Sequence, residues 1–178
     1  MKNARVGLGY DSHRFREGRP LVLGGVAIPY PRGLEGHSDA DVLVHAVIDA
    51  LLGAASAGDI GTLFPDTDEA FRNVSSIGLL ARAAEEVRSR GLSVVNIDAV
   101  ILAEEPRVAR HRDAMRRNLA AALGVREEAI GVKGKTNEGM GAIGRGEGIA
   151  AWAIILLAGS ETQERPCGTE KEKGRKSG

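Results

Sequence analysis

Nine residues in a row, Ile149 to Leu157, are apolar, and Gly148 precedes them. The run is far too short to cross a membrane as a helix, so it reads as a strand lying centrally in a sheet. Other strands are expected around it. Val6, Leu8 and Tyr10 alternate with Gly7 and Gly9, Val94 to Ala103 is apolar apart from Asn96 and Asp98 and is ended by Pro106, and Ile130 to Lys133 is a further short strand. Leu21 to Leu23 and Val26 to Ile28 flank Gly24-Gly25, the pattern of a hairpin.

Helices fill the intervals. Val44, Val47, Ile48, Leu51, Leu52 and Ala55 recur at helical spacing after Ser38, Asp39 and Asp41, which are candidate N-caps, and this helix is expected to end near Gly58. Ile77, Leu80, Ala81, Ala84 and Val87 mark a second helix stopped at Gly91. Met115, Leu119, Ala122 and Leu123 mark a third with a basic outer face. No internal repeat is present. The order predicts an α+β fold, a mixed sheet of the four-stranded type with helices packed on one face, plus a small hairpin. A single catalytic domain is expected over residues 1–158. The remainder, 159–178, is rich in Glu, Lys, Arg and Gly and reads as a flexible charged tail.

Lys plus Arg number 24, as do Asp plus Glu, so the net charge is zero and electrostatic capture of nucleic acid or anionic lipid is not expected. Only 3% of residues are aromatic, which leaves a core of Val, Leu, Ile and Ala that draws on oligomer contacts. The one cysteine, Cys167, excludes an internal disulfide and fits a reducing cytoplasm. Neither a signal-peptide core nor a transmembrane run is present, so no membrane association is expected.

Chemistry concentrates near the N-terminus. Three of the four histidines fall in the first 45 residues, each near an aspartate: Asp11-Ser12-His13, His37-Ser38-Asp39-Ala40-Asp41, and His45. Same-face positions on a strand are two residues apart, so Asp11 and His13 point the same way. Asp41, His45 and Asp49 stack along one edge of the helix, which lets His45 reach a metal held by the strand and Asp49 orient its ring. Asp11, His13 and His45 then form the three-ligand set of a catalytic divalent site, with a fourth position open. A lone Asp-x-His would more simply be a half-exposed pair; the third ligand on an adjoining helix decides for metal.

A second region, Lys133 to Gly148, is rich in glycine and contains Gly134-Lys135-Thr136. A P-loop reading fails, because the first glycine of that motif would fall on Ala129 and no helix is expected to follow. The glycines still let backbone amides approach an anion, with Lys135 and Thr136 as donors and Glu138 as a hard oxygen ligand for magnesium. Together with a metal site, this points to phosphoryl chemistry on a polyphosphate.

Five segments in order carry a resemblance: Gly9-Tyr10-Asp11-Ser12-His13; His37-Ser38-Asp39-Ala40-Asp41 with His45; Gly58-Asp59-Ile60-Gly61 with Phe64-Pro65-Asp66-Thr67-Asp68; Thr136-Asn137-Glu138-Gly139; and Gly144-Arg145-Gly146-Glu147-Gly148. Over about residues 5 to 158 the chain resembles the 2-C-methyl-D-erythritol 2,4-cyclodiphosphate synthase family of the non-mevalonate isoprenoid pathway. The resemblance implies conversion of 4-diphosphocytidyl-2-C-methyl-D-erythritol 2-phosphate to the cyclic diphosphate and CMP. It implies zinc, manganese or cobalt on Asp11, His13 and His45, and magnesium or manganese on the diphosphate through Glu138. By the same resemblance His37 and Thr136 position the reacting phosphates, with Ser38, Lys135 and Asn137 beside them. Asp59, Ile60 and Gly61 with Phe64, Pro65, Asp66, Thr67 and Asp68 hold the erythritol. Ala103, Glu104, Glu105, Pro106, Arg107, Val108 and Ala109 form a cytidine pocket supplied by the neighbouring subunit of a homotrimer. Lys135 stands where the family usually has threonine. Ala142 stands where it usually has a phenylalanine facing the trimer axis, while Arg145 and Glu147 are retained.

The residues suit that chemistry. The nucleophile would be the substrate's own phosphate oxygen, so no protein nucleophile is needed; cations, a donor-rich loop and helix-start N–H groups at His37-Ser38 supply charge neutralisation. Two other readings use the same ligands: a binuclear metallohydrolase acting on a nucleoside diphosphate with water, and a non-catalytic metal-dependent nucleotide sensor.

Overall fold

The computed structural model describes residues 3–65, 67–71 and 74–159. Asp66, Cys167 and the tail beyond Gly159 lie outside them. Gly159 itself is not tail: it ends the last strand, opposite Leu92.

The elements, in chain order, are β1 (Ala4–Glu17), β2 (Leu21–Leu23), β3 (Val26–Ile28), β4 (Arg32–Leu34), α1 (Val42–Ala54) and the one-turn α2 (Ile60–Leu63). Then come α3 (Ser76–Ser89), β5 (Leu92–Leu102), α4 (Arg112–Leu123), β6 (Ile130–Lys135), the one-turn α5 (Gly141–Gly144) and β7 (Gly148–Gly159). Five strands form a mixed sheet in the order β4-β1-β7-β5-β6, and β2 and β3 form a separate hairpin. The fifth strand, β4, was not expected. It is three residues long, begins beside Pro31 and pairs only with Phe15, Arg16 and Glu17, so it has no periodicity to read. A further departure is α5, which follows the glycine-rich loop but has only four residues and starts well after Thr136.

The apolar run is β7, antiparallel to β1 on one side and to β5 on the other, while β5 and β6 run parallel. It is central in the sheet but covered on one face only. Ile149, Ala151, Ala153, Ile155 and Leu157 are buried under the helices, whereas Trp152 and Ile154 on the opposite face are 39% and 51% exposed. Their partners on β1 are exposed as well: Tyr10 opposite Trp152, with ring centroids 5.0 Å apart, and Leu8 opposite Ile154. Together with Val6 they leave an apolar stripe exposed on the sheet face away from the helices.

The glycines of β1 point the other way, into the helices. A Cβ built on Gly9 would lie 1.9 Å from the carbonyl oxygen of Ala46, and one on Gly7 would lie 1.9 Å from that of Ala50. Helix α1 therefore rests its backbone directly on β1. Its remaining faces meet β7, α3 and the hairpin, which is why ten of its residues are buried.

Asp41 fixes the start of that helix. Its side chain accepts from Val44 N–H (3.1 Å) as N-cap and from the hairpin-turn N–H groups of Gly24 (2.9 Å) and Gly25 (2.7 Å). Complete burial outweighs those three bonds and pushes its carboxyl up to about 6. Asp41→Ala would leave three inward-facing N–H groups without an acceptor, each costing about 1–3 kcal/mol. A loss of about 3 kcal/mol or more is expected from the shift in urea midpoint.

Candidate functional site

Because α1 lies so close to β1, His45 sits directly over Asp11 and His13 in the second half of that strand. The Nδ1 of His45 is 2.9 Å from Asp11 Oδ2 and 3.2 Å from His13 Nε2, and His13 Nε2 is 2.9 Å from the same Asp11 oxygen. One ligand atom from each residue thus forms a small triangle. Zinc held at 2.0–2.1 Å in a tetrahedral site needs ligand atoms roughly 3.3 Å apart. Opening the triangle by a few tenths of an ångström would seat such an ion, and the residues fit a divalent cation. Burial works against the Asp11 charge, but hydrogen bonds with His13 and His45 outweigh it and hold its carboxyl well below the usual range. For His45, burial opposes protonation, and Asp11, Asp41 and Asp39 overcome it and raise the imidazole pKa. An acceptor-rich pocket of this kind is one that a cation can occupy.

The other ring nitrogen of His45 has different partners from those expected. Asp49 accepts the N–H of Ile60 (2.9 Å) and thereby anchors the turn carrying Asp59. It does not orient His45. Nε2 of His45 instead faces the hydroxyls of Ser76 (2.9 Å) and Ser38 (3.1 Å). Ser76 is completely buried at the first turn of α3 and was not singled out by the sequence, since nothing local distinguishes it from Ser75. The hydroxyl of Ser38 is turned inward, accepting from Ala40 N–H, so its side chain faces His45 rather than the open side.

His37 lies in a bend, not at a helix start; α1 begins only at Val42, and the expected N–H cluster at His37-Ser38 is absent. Arg19 holds this bend, donating from its guanidinium to the carbonyls of Gly36 and Ser38 on either side of His37, and Ala40 turns the chain at φ +57°. A cavity of about 740 Å³ lined by Arg16, Arg19, His37 and Asp39 opens beside it.

Asp59 caps α2 by accepting from the N–H and hydroxyl of Thr62 (2.7 Å each), which lowers its pKa. Ile60 and Gly61 form the same turn. Phe64 is buried against Phe71 with Arg82 over both rings, whereas Pro65, Thr67 and Asp68 are exposed.

The glycine-rich loop and the expected cytidine loop form one unit. Glu104 accepts the N–H groups of Asn137 (2.8 Å) and Gly139 (3.3 Å), and Ala103 N–H donates to Lys135. Ala103 and Val108 are buried in the chain's own core; Glu105, Arg107 and Ala109 are exposed, and Pro106 partly so. Thr136 donates to Glu138 (2.6 Å), and both are exposed, as are Lys135 and Ala142. Arg145 pairs with Glu147.

This unit is remote from the triangle within one chain. Asp11 pairs with Ala151, Ala151 with Ile101, and Ile101 with Gly134, so three strand spacings, roughly 14 Å, separate them. Lys135 also lies in the row of Leu102, Ala150 and Ser12, on the sheet face away from the helices.

A mixed sheet with helices on one face, a carboxylate–imidazole cluster that could hold a cation where strand and helix meet, and an exposed glycine-rich loop define an α+β protein. The chain belongs to the YgbB family, whose sequence profile matches residues 4–158. It is 58% identical over 172 residues to the 2-C-methyl-D-erythritol 2,4-cyclodiphosphate synthase of Rubrobacter xylanophilus, covering 95% of this chain and 100% of that protein. It is 53% identical over 160 residues to the synthase of Desulfosudis oleivorans, covering 90% and 95%. A solved CDP-bound 2C-methyl-D-erythritol-2,4-cyclodiphosphate synthase superposes with a TM-score of 0.80 at 41% identity, over 86% of this chain and 100% of that one. The bifunctional IspDF of Campylobacter jejuni gives 0.84 at 45% identity over 86% of this chain, which spans only 42% of that protein. No helix among the described residues is long and apolar enough to cross a membrane.

Proposed function

We propose that the protein converts 4-diphosphocytidyl-2-C-methyl-D-erythritol 2-phosphate to 2-C-methyl-D-erythritol 2,4-cyclodiphosphate and CMP, in the cytoplasm, with residues 1–158 as the catalytic unit. The observation that carries this reading is the Asp11–His13–His45 triangle in a chain that matches cyclodiphosphate synthases over nearly its whole described length. Asp11, His13 and His45 would hold zinc, manganese or cobalt, and Glu138 together with the substrate diphosphate would hold magnesium or manganese. Bound there, the cations neutralise charge on the attacked phosphate. His37, on a bend pinned by Arg19, and Thr136 position the phosphates for in-line displacement, with Lys135 adding a positive charge. Asp59 and the exposed residues after Phe64 take the erythritol.

The active unit is a homotrimer with shared sites. A diphosphate is too short to bridge roughly 14 Å, so the triangle of one chain must meet the Thr136–Glu138 loop and the Glu105–Ala109 loop of another. The exposed stripe of Val6, Leu8, Tyr10, Trp152 and Ile154 supports such an assembly.

Sharing has a direct test. His45→Ala removes a metal ligand, and Ala109→Trp blocks the cytidine side at an exposed position. Each homotrimer is expected to be inactive. Co-refolding the two should restore part of the activity, because a mixed trimer contains an interface with both halves intact. Mixed trimers seen by native mass spectrometry without CMP release would contradict the shared site.

A further inference from the structure

We propose that Asp39 and Ser76 act as a positioning relay behind His45, fixing the ring proton on Nε2 so that Nδ1 is free to hold the cation. The inference rests on the reading of Asp11, His13 and His45 as a cation site.

A ligating imidazole nitrogen must be unprotonated, and in the neutral ring the proton then sits on the other nitrogen. At His45 two neighbours compete for that choice. Asp11, 2.9 Å from Nδ1, draws a proton to the side where the metal belongs. Ser76, 2.9 Å from Nε2, draws it to the far side. What tips the balance is the group behind the serine. The Ser76 hydroxyl donates to Asp39 Oδ1, so its own proton is committed to the carboxylate and its oxygen is left to accept from His45. The second Asp39 oxygen accepts the backbone N–H of Ser76 at 3.0 Å, which locks carboxylate and serine together. Capping α3 needs only one of those oxygens; the other serves the hydroxyl.

Burial keeps the relay in register. Ser76 has no solvent exposure, so water does not compete for its hydroxyl. Ser38 offers a second acceptor, but its oxygen is farther from Nε2, at 3.1 Å, and already takes the N–H of Ala40. It replaces Ser76 only in part. The distances in sequence, 31 residues from His45 to Ser76 and 37 from Ser76 to Asp39, leave no local signature.

The test uses full-length protein stripped of metal and titrated with zinc against a chromogenic chelator. Outer partners of metal-binding histidines are typically worth 10–100-fold in affinity, and Ser76→Ala and Asp39→Asn should each weaken zinc by about that factor. Melting of the metal-free forms should change little. Nitrogen-15 NMR of the His45 ring, recorded at a pH high enough for the ring to be neutral, should show Nε2–H dominant in the metal-free parent and a gain of Nδ1–H in Ser76→Ala, which a purely structural serine would not cause. Asp39→Asn keeps an acceptor for Ser76 while removing the charge, and it decides the matter if Ser76→Ala fails to fold. Unchanged zinc affinity in Asp39→Asn, or in a folded Ser76→Ala, overturns the relay and leaves the cation site standing. A parent protein that takes up no divalent ion overturns both.

Discussion

His45→Ala is expected to emerge from purification folded, without its tightly held metal, and with turnover reduced about a thousandfold or more. The magnitude follows from removing several kcal/mol of charge stabilisation from a phosphoryl transfer that has no protein nucleophile to fall back on. Folding should survive, because what remains is self-sufficient: Ser76 stays bonded to Asp39 and Ser38, and α1 keeps its Asp41 cap. Metal content by plasma mass spectrometry, circular dichroism and CMP release would separate the three outcomes. Full activity in a metal-free variant would remove the triangle from the mechanism.

Gly9→Ala should be nearly as damaging, through the fold. A methyl group 1.9 Å from the Ala46 carbonyl and 2.6 Å from the Ala50 nitrogen meets helix backbone, which cannot rotate away as a side chain could. The helix must lift from β1, carrying His45 off Asp11 and His13. A cost of about 3 kcal/mol or more in stability is expected, at the upper end of overpacking penalties, along with loss of metal retention. Gly53 provides the internal control. It lies in the same helix with nothing within 4 Å of its would-be Cβ, so Gly53→Ala should be neutral or stabilising by about 0.5–1 kcal/mol. Equal melting temperatures for Gly9→Ala and the parent would show that the close helix–strand contact is not what assembles the site.

The glycines also show what was legible in the sequence. Alternation of Val6, Leu8 and Tyr10 with Gly7 and Gly9 reads correctly as a strand, and the placement of Asp11 and His13 on one face follows from it. Which face meets the core does not follow, because apolar residues ordinarily point inward and here they point out. The proposed trimer, by covering that face with a second chain, would make the pattern economical. The helices at Val42–Ala54, Ser76–Ser89 and Arg112–Leu123 were readable because each carries a full apolar stripe; β4 was not, because three residues carry none. At the site, candidate ligands announce themselves by residue type, so the grouping of Asp11, His13 and His45 was visible. Their supports do not: Asp49 has the right spacing to serve His45 but is taken by Ile60, while Ser76 and Arg19 do their work from distant segments through common residue types.

The central claim is that the attacking oxygen belongs to the substrate. Turnover of the cytidine-linked 2-phosphate in water enriched in oxygen-18, with products separated and weighed, tests it most directly. CMP and a cyclic diphosphate are expected, neither carrying the heavy isotope. Oxygen-18 in a linear phosphate product would contradict it and make water the nucleophile of a hydrolase.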